Sequence, residues 1–229
     1  MKKIGIIGGM GPEATLDFYG KIIQSSFACH DQDHIPVTIE VCPQIPDRTG
    51  YILGKGDDPL PLLLKACENL VKVGASSICM PCNTAHFFIE QLNKEINVPF
   101  INMIDCVKQE IQDNYPNASR IGLLATSGTV KSGVYDKVLQ HVDLSVITVC
   151  DEFQARMMNV IYEVKSGRQC EVIEDLQRCI DEIEDLGADV IIAGCTELPL
   201  LISSITSRVP IIDPTQCLAE NVVKFSLSA

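Results

Sequence analysis

The stretch Ser77-Ile78-Cys79-Met80-Pro81-Cys82-Asn83-Thr84-Ala85-His86 decides how the rest of the chain is read. An apolar run stops at Pro81. A cysteine follows, then two small polar residues, then an apolar-rich segment from Phe87 to Leu92 that can form a helix. A thiol placed between a strand end and a helix N-terminus is expected to favour its anionic form, because backbone N–H groups and the helix dipole stabilise the charge. One cysteine of this kind is only a candidate, since buried cysteines ordinarily just pack. A second such turn lies far along the chain, at Ala193-Gly194-Cys195-Thr196-Glu197-Leu198-Pro199-Leu200.

Working outward from the two turns, the chain reads as a repeat. In the first half, Lys3–Ile7 forms a strand, Gly8–Pro12 a turn, and Ala14–Phe27 a helix with apolar residues at Leu16, Tyr19, Ile22 and Ile23. Val37–Cys42 is a strand, Pro43–Thr49 a polar loop, and Pro59–Val73 a helix with Leu62, Leu63, Ala66, Leu70 and Val71 inward and Gly74 as its stop. Ser76–Met80 is a strand, Thr84–Ile96 a helix and Val98–Met103 a further strand. The pattern then begins again. Lys3-Ile4-Gly5-Ile6-Ile7 matches Arg120-Ile121-Gly122-Leu123-Leu124, and the segment from Tyr19 matches the one from Tyr135. Val37–Cys42 matches Ser145–Cys150, Gly74-Ala75 matches Gly187-Ala188, and Val98-Pro99-Phe100-Ile101 matches Val209-Pro210-Ile211-Ile212. The order is kept at offsets between 108 and 117 residues, and Cys82 and Cys195 fall at equivalent places. Strands alternating with helices imply parallel sheets covered on both faces. The expected fold is α/β, with two pseudo-symmetric halves, each a parallel sheet flanked by helices. The first would comprise residues 1–103 and 213–229, carrying Cys82, and the second residues 104–212, carrying Cys195. The last helix, Leu218–Phe225, is expected to pack back on the first half.

Bulk properties narrow the function. With 229 residues and 46% hydrophobic content, the chain can bury a sizeable core. Its net charge of −12 disfavours nucleic acid and anionic membranes as partners. No apolar run approaches the length of a membrane span. The 11 cysteines are odd in number and lack the spacing of a disulfide framework, which suits reduced thiols in a cytoplasm. The cysteines and four histidines lack paired ligand spacing, so no metal is expected.

Ligands of open α/β sheets bind beyond the carboxyl ends of the strands. If a pseudo-two-fold axis relates the halves, the two thiols confront each other across a cleft. Two acid/base groups on opposite faces of one carbon suit a stereochemical inversion. One thiolate removes a proton and the opposite thiol returns one, with no cofactor required. A free thiol titrates near ~8.5, within reach of neutral pH.

The motifs Gly8-Gly9-Met10-Gly11-Pro12-Glu13-Ala14-Thr15, Ile45-Pro46-Asp47-Arg48-Thr49, Pro81-Cys82-Asn83-Thr84-Ala85-His86 and Gly194-Cys195-Thr196-Glu197-Leu198 closely resemble the aspartate racemases of the cofactor-independent aspartate/glutamate racemase superfamily. The resemblance covers nearly the whole chain. It implies a site between two Rossmann-like domains, a two-base mechanism on a free dicarboxylic amino acid, no cofactor, and a homodimer. It assigns the acid/base roles to Cys82 and Cys195. Arg48 is similar to the arginine that binds one substrate carboxylate, and Lys165 to the lysine that holds the other. Asn83, Thr84 and Thr196 resemble substrate-binding residues, with Met10 and the Thr126-Ser127-Gly128-Thr129 turn supplying further contacts through Thr126 and Thr129. Asp47 and Glu197 resemble supporting carboxylates. Glutamate racemases carry His where Glu197 stands, which favours the aspartate branch; glutamate or both acids remain the alternative. His86, one helical turn after Cys82, is read as a packed or capping residue.

Three rival readings have a footing in the residues. Gly9-Met10-Gly11-Pro12-Glu13-Ala14 fits the pyrophosphate turn of a nucleotide-dependent oxidoreductase, although the acidic Glu40 falls inside a strand. Cys79 and Cys82 form a C-x-x-C suited to thiol–disulfide exchange, but Cys79 falls in the apolar strand and its counterpart is Ile192. A non-enzymatic amino-acid-binding protein would need neither cysteine.

Overall fold

Five consecutive residues, Ile4–Gly8 (β1), are buried, as expected of a parallel strand covered by helices on both faces. The structure is a computed structural model and describes residues 1–228. From β1 the first half runs through α1 (Pro12–Ser25), β2 (Val37–Val41), α2 (Arg48–Ile52), α3 (Leu60–Lys72), β3 (Ser77–Cys79) and α4 (Ile89–Glu95), and α5 (Met103–Asn114) leads into the second. The second half comprises β4 (Arg120–Ala125), α6 (Ser127–Ser132), α7 (Val134–Leu139), β5 (Ser145–Ile147), α8 (Asp151–Lys165), α9 (Ile173–Asp185), β6 (Val190–Gly194) and β7 (Ile211–Ile212). Helix α10 (Pro214–Leu227) is the last element among the described residues.

The fold is α/β with two parallel sheets flanked by helices. β1 lies between β2 and β3 in one sheet. In the other, β4 lies between β5 and β6, and β7 pairs with the far side of β6. The first three strands therefore have the same spatial order in both halves, and the repeat in sequence is a repeat of topology. Alternate residues of each central strand point to opposite faces. Ile4 and Ile6 join Ile121, Leu123 and Ile192 in one core shared by the halves. Ile7 points the other way, into a cluster with Leu70 and Ile78. Leu124 and Ile191 build the corresponding outer cluster of the second sheet with Ile161. Helix α10 packs against α1 and α5 and sends Leu218 and Val222 into the shared core.

Several local expectations are corrected. Val98–Met103 is not a strand: only Phe100 bridges to Ile78. Asn102 turns the chain by accepting a hydrogen bond from the Ile104 N–H, capping α5 from Met103 onward. The helix expected over 84–96 opens as a 3₁₀ turn, Thr84–Phe88, before α4 begins. The loop expected over 43–49 ends in α2, because Asp47 accepts from the Gly50 N–H and starts a helix at Arg48. In α1 the inward face is Ala14, Thr15, Phe18 and Ile22. Leu16, Tyr19 and Ile23 face out. In α3 Leu62 and Val71 are likewise exposed, and Leu63, Ala66, Cys67 and Leu70 are buried.

Candidate active site

Four strand ends deliver residues to one place. Met10 follows β1, Cys82 follows β3, Thr126 follows β4 and Cys195 follows β6, and all four line a chamber of about 10 Å³. That volume holds about one water. The chamber adjoins a wider cleft of about 530 Å³ that shares Met10, Asp47, Arg48, Lys165 and Glu197 with it. Glu13, Pro43 and Tyr162 are among the further residues that line the cleft. Close approach of the halves narrows the chamber. A side chain on Gly128, at the start of α6, would come 2.7 Å from Thr49 Cα on α2, so only glycine lets these elements touch.

The two thiols share the chamber, each 5% exposed. The Cys195 thiol donates to Glu197 Oε2 at 2.9 Å. Burial first, and the Glu197 charge second, push the Cys195 pKa well above the usual thiol value. This corrects the expectation of a thiol tuned downward: Cys195 stands as a protonated acid with a carboxylate ready to take its proton. Lys165, the last residue of α8, places Nζ 3.6 Å from Glu197 Oε1. Burial works against its charge, but the negative groups Cys195, Glu197 and Cys82 outweigh burial and raise its pKa. Lys165 therefore holds a positive charge beside both cysteines.

Arg48 is 7% exposed and held by backbone carbonyls: Nη1 donates to Pro46 O at 3.1 Å and Nη2 to Met10 O at 3.3 Å. Its Nε is buried without a partner, leaving a donor on a fixed cation. Three hydroxyls link the halves. Thr84 Oγ1 lies 3.0 Å from Thr126 Oγ1 and 2.9 Å from Thr129 Oγ1, and the latter two are 3.0 Å apart. Thr129 thus supports the chamber wall through its neighbours instead of lining it. Asp47 lines the chamber, but one carboxylate oxygen is engaged in capping α2. Asn83, Thr84 and Thr196 line it as well.

His86 lies beneath the chamber. Its Nε2 accepts from the Met103 N–H at 3.0 Å, so the proton sits on Nδ1 and is donated to Cys82 O at 2.9 Å. Burial pushes its pKa down to about 4, which keeps it neutral. It is the packed, capping residue the sequence suggested.

Sequence reasoning missed Thr49, which lines the chamber, and Tyr162, which lines the cleft. Thr49 stood beside Arg48 in a quoted motif; Tyr162 lies three residues before Lys165 in α8, the spacing of one helix face. It also missed Tyr135, whose one visible signal is its match to Tyr19 in the repeat.

The rival readings find little footing. A side chain on Gly11 would meet Glu197 Oε1 at 3.3 Å, so the glycine turn faces a carboxylate where a pyrophosphate needs donors. Glu40 accepts from Asn69 Nδ2 at 2.9 Å instead of awaiting a ribose. Cys79 lies fully buried in the shared core, and burial raises its pKa, the opposite of an exchange thiol. No group of three or more His, Cys, Asp or Glu among the described residues is arranged to hold a metal ion.

Two parallel sheets of matching strand order, with one cysteine from each at the shared carboxyl end, define an α/β protein built for chemistry between its halves. The chain belongs to the Asp/Glu/hydantoin racemase family, whose model matches residues 7–222. It is 31% identical to the broad specificity amino-acid racemase RacX of Bacillus subtilis over 232 residues, which covers 98% of both chains. It is 28% identical to the glutamate racemase of Aquifex pyrophilus over 183 residues, covering 78% of this chain and 69% of that one. Among solved structures, an aspartate racemase of Picrophilus torridus superposes with a TM-score of 0.87 at 31% identity, covering 99% of this chain and 94% of that one.

Proposed function

We propose that this member of the racemase family interconverts L- and D-aspartate by two-base proton exchange between Cys82 and Cys195. The observation that carries the reading is the presence of both thiols, from equivalent strand ends of the two halves, in one chamber. In one direction the Cys82 thiolate takes the Cα proton and the Cys195 thiol returns its own to the opposite face. In the other, the Cys195 thiolate that this leaves takes the Cα proton and the Cys82 thiol returns one, so each direction is the reverse of the other; between turnovers Glu197 carries the Cys195 proton as the two enzyme forms exchange. One proton leaves carbon and one arrives, and no electrons are transferred. The α-proton is far less acidic than a thiol, so the carbanion-like transition state needs charge neutralisation in a dry site. Arg48 and Lys165 supply the cations: two cations suit two carboxylates. Asn83, Thr84, Thr126 and Thr196 hold the substrate, Met10 fixes Arg48, and Thr129 and Asp47 support the walls. No cofactor enters this scheme. The same reading divides the chain into domains 1–103 with 213–229 and 104–212, and takes the protein to be a cytoplasmic homodimer. Eleven free thiols suit a reducing compartment. Exposed Leu16, Tyr19 and Ile23 on one face of α1, with Phe27 beyond its end, suit a partner surface.

The test is chiral chromatography of L-aspartate and L-glutamate after incubation in deuterium oxide. D-Aspartate labelled at Cα is expected; label without inversion, or no label, would remove the two-base reading. A second reading, broad specificity, is favoured by the 530 Å³ cleft that shares five residues with the chamber and could take longer side chains. Comparable turnover of longer amino acids in the same assay would establish it.

A further inference from the structure

Tyr135 and Tyr19 are equivalent in the repeat, but only one is on the surface. Tyr19 is 38% exposed on α1 and Tyr135 is fully buried in α7. The single helix of the first half is split in the second at Gly133, whose φ is +62°, two residues before Tyr135. The Tyr135 hydroxyl lies 2.5 Å from Asn83 Oδ1. This separation belongs to O–H···O bonds and is too short for an amide N–H···O bond. The phenol therefore donates and the Asn83 oxygen accepts. Burial lifts the Tyr135 pKa well above the usual phenol value, so the proton is always there to give.

Asn83 is 2% exposed and lines the chamber, and its Nδ2 is buried with no partner. With the oxygen occupied by Tyr135, the amide has only its NH₂ left to offer, and that group lacks an acceptor. A carboxylate in the chamber supplies one, as an ionised group that only accepts. If the amide were free to turn over, its oxygen would face the chamber half the time and repel the same group.

We propose that Tyr135 is a positioning residue: by holding the Asn83 oxygen from across the two halves, it fixes the Asn83 NH₂ as a donor to a carboxylate of the bound amino acid. The proposal rests on the amino-acid racemase reading but not on aspartate, because every amino acid brings an α-carboxylate.

The test is a double-mutant cycle of Tyr135→Phe and Asn83→Ala. Steady-state kinetics are measured on the amino acid that the native enzyme racemises, aspartate first. Tyr135→Phe keeps the ring and removes only the hydroxyl. It is expected to raise KM about tenfold, the equivalent of one hydrogen bond, and to change kcat much less. In the Asn83→Ala background it should add nothing, since no amide remains to be held. Losses that multiply in the double variant overturn the proposal. So does a Phe variant with native KM and a lowered melting temperature, which would make Tyr135 a packing residue. Turnover of another amino acid in place of aspartate overturns the substrate reading, and the cycle run on that amino acid still judges Tyr135. If the native protein racemises none, calorimetric titration of the four proteins with L-aspartate replaces KM by Kd.

Discussion

Glu197 makes the two thiols unequal. It follows Cys195 by two residues, where the first half has Thr84 two residues after Cys82, so only one thiol has a carboxylate at hydrogen-bond distance. Replacing Glu197 by Gln removes the charge that helps to hold the Cys195 pKa up, and with it the proton acceptor of the proposed scheme. The pKa of Cys195 should therefore fall in Glu197→Gln, read as a lower midpoint in the pH dependence of its alkylation. Turnover should fall by about 10²-fold, the scale of a lost acid/base group, with KM much less changed. Cys82→Ala and Cys195→Ala should each abolish racemisation, measured by chiral chromatography, because either face of Cα is then without its base. At this scale residue types were legible: the cysteines, Arg48, Lys165 and Glu197 all stand at one site. Orientation was not. Nothing in Ile45-Pro46-Asp47-Arg48 tells that backbone carbonyls grip the guanidinium from Met10 and Pro46.

Elements meet at this site through short contacts that leave little room. Gly128 brings α6 against α2. Gly128→Ala should force α6 and α2 apart, costing about 1–3 kcal/mol in urea unfolding and, if both thiols act on one carbon as proposed, lowering turnover disproportionately. His86 joins the 3₁₀ turn after Cys82 to the start of α5. Its folded pKa of about 4 lies below the unfolded value near 6.5, so folding favours the neutral form. Its stabilising contribution is present above pH 6.5 and lost as the pH falls toward 4. Urea titrations should show about 2 kcal/mol less stability at pH 5 than at pH 7.5 from this group, and His86→Gln should lack that component. Strands were readable as apolar runs, but helix faces were read less well. In α1, Leu16 and Ile23 look inward by type, whereas the sheet selects the face with Ala14, Thr15, Phe18 and Ile22, on which the small Ala14 and Thr15 stand nearest the glycine turn and allow close packing. The Thr15 hydroxyl accepts from the Gly9 N–H and donates to Gly11 O there, a use that apolar spacing does not reveal.

The whole molecule was legible from its repeat, because two runs of equivalent segments in one order leave few other arrangements of parallel strands. The single core that joins the halves was not, since periodicity shows that a face is buried but not against what. The joined form makes a prediction about access. Cys29, Cys150 and Cys170 are exposed, and Cys82 and Cys195 are buried. With iodoacetamide and peptide mass mapping, the first three should be labelled at once and the two chamber thiols slowly, in step with loss of activity. Aspartate should slow only the latter pair; equal protection of all five would place binding elsewhere. The chamber volume has a consequence for speed. A space for about one water is smaller than an amino acid, so the residues that wall the chamber must give way each time one enters or leaves. When the chemistry is quick, the pace of this protein is then set by friction, and a more viscous medium slows it even though no bond in the reaction has changed.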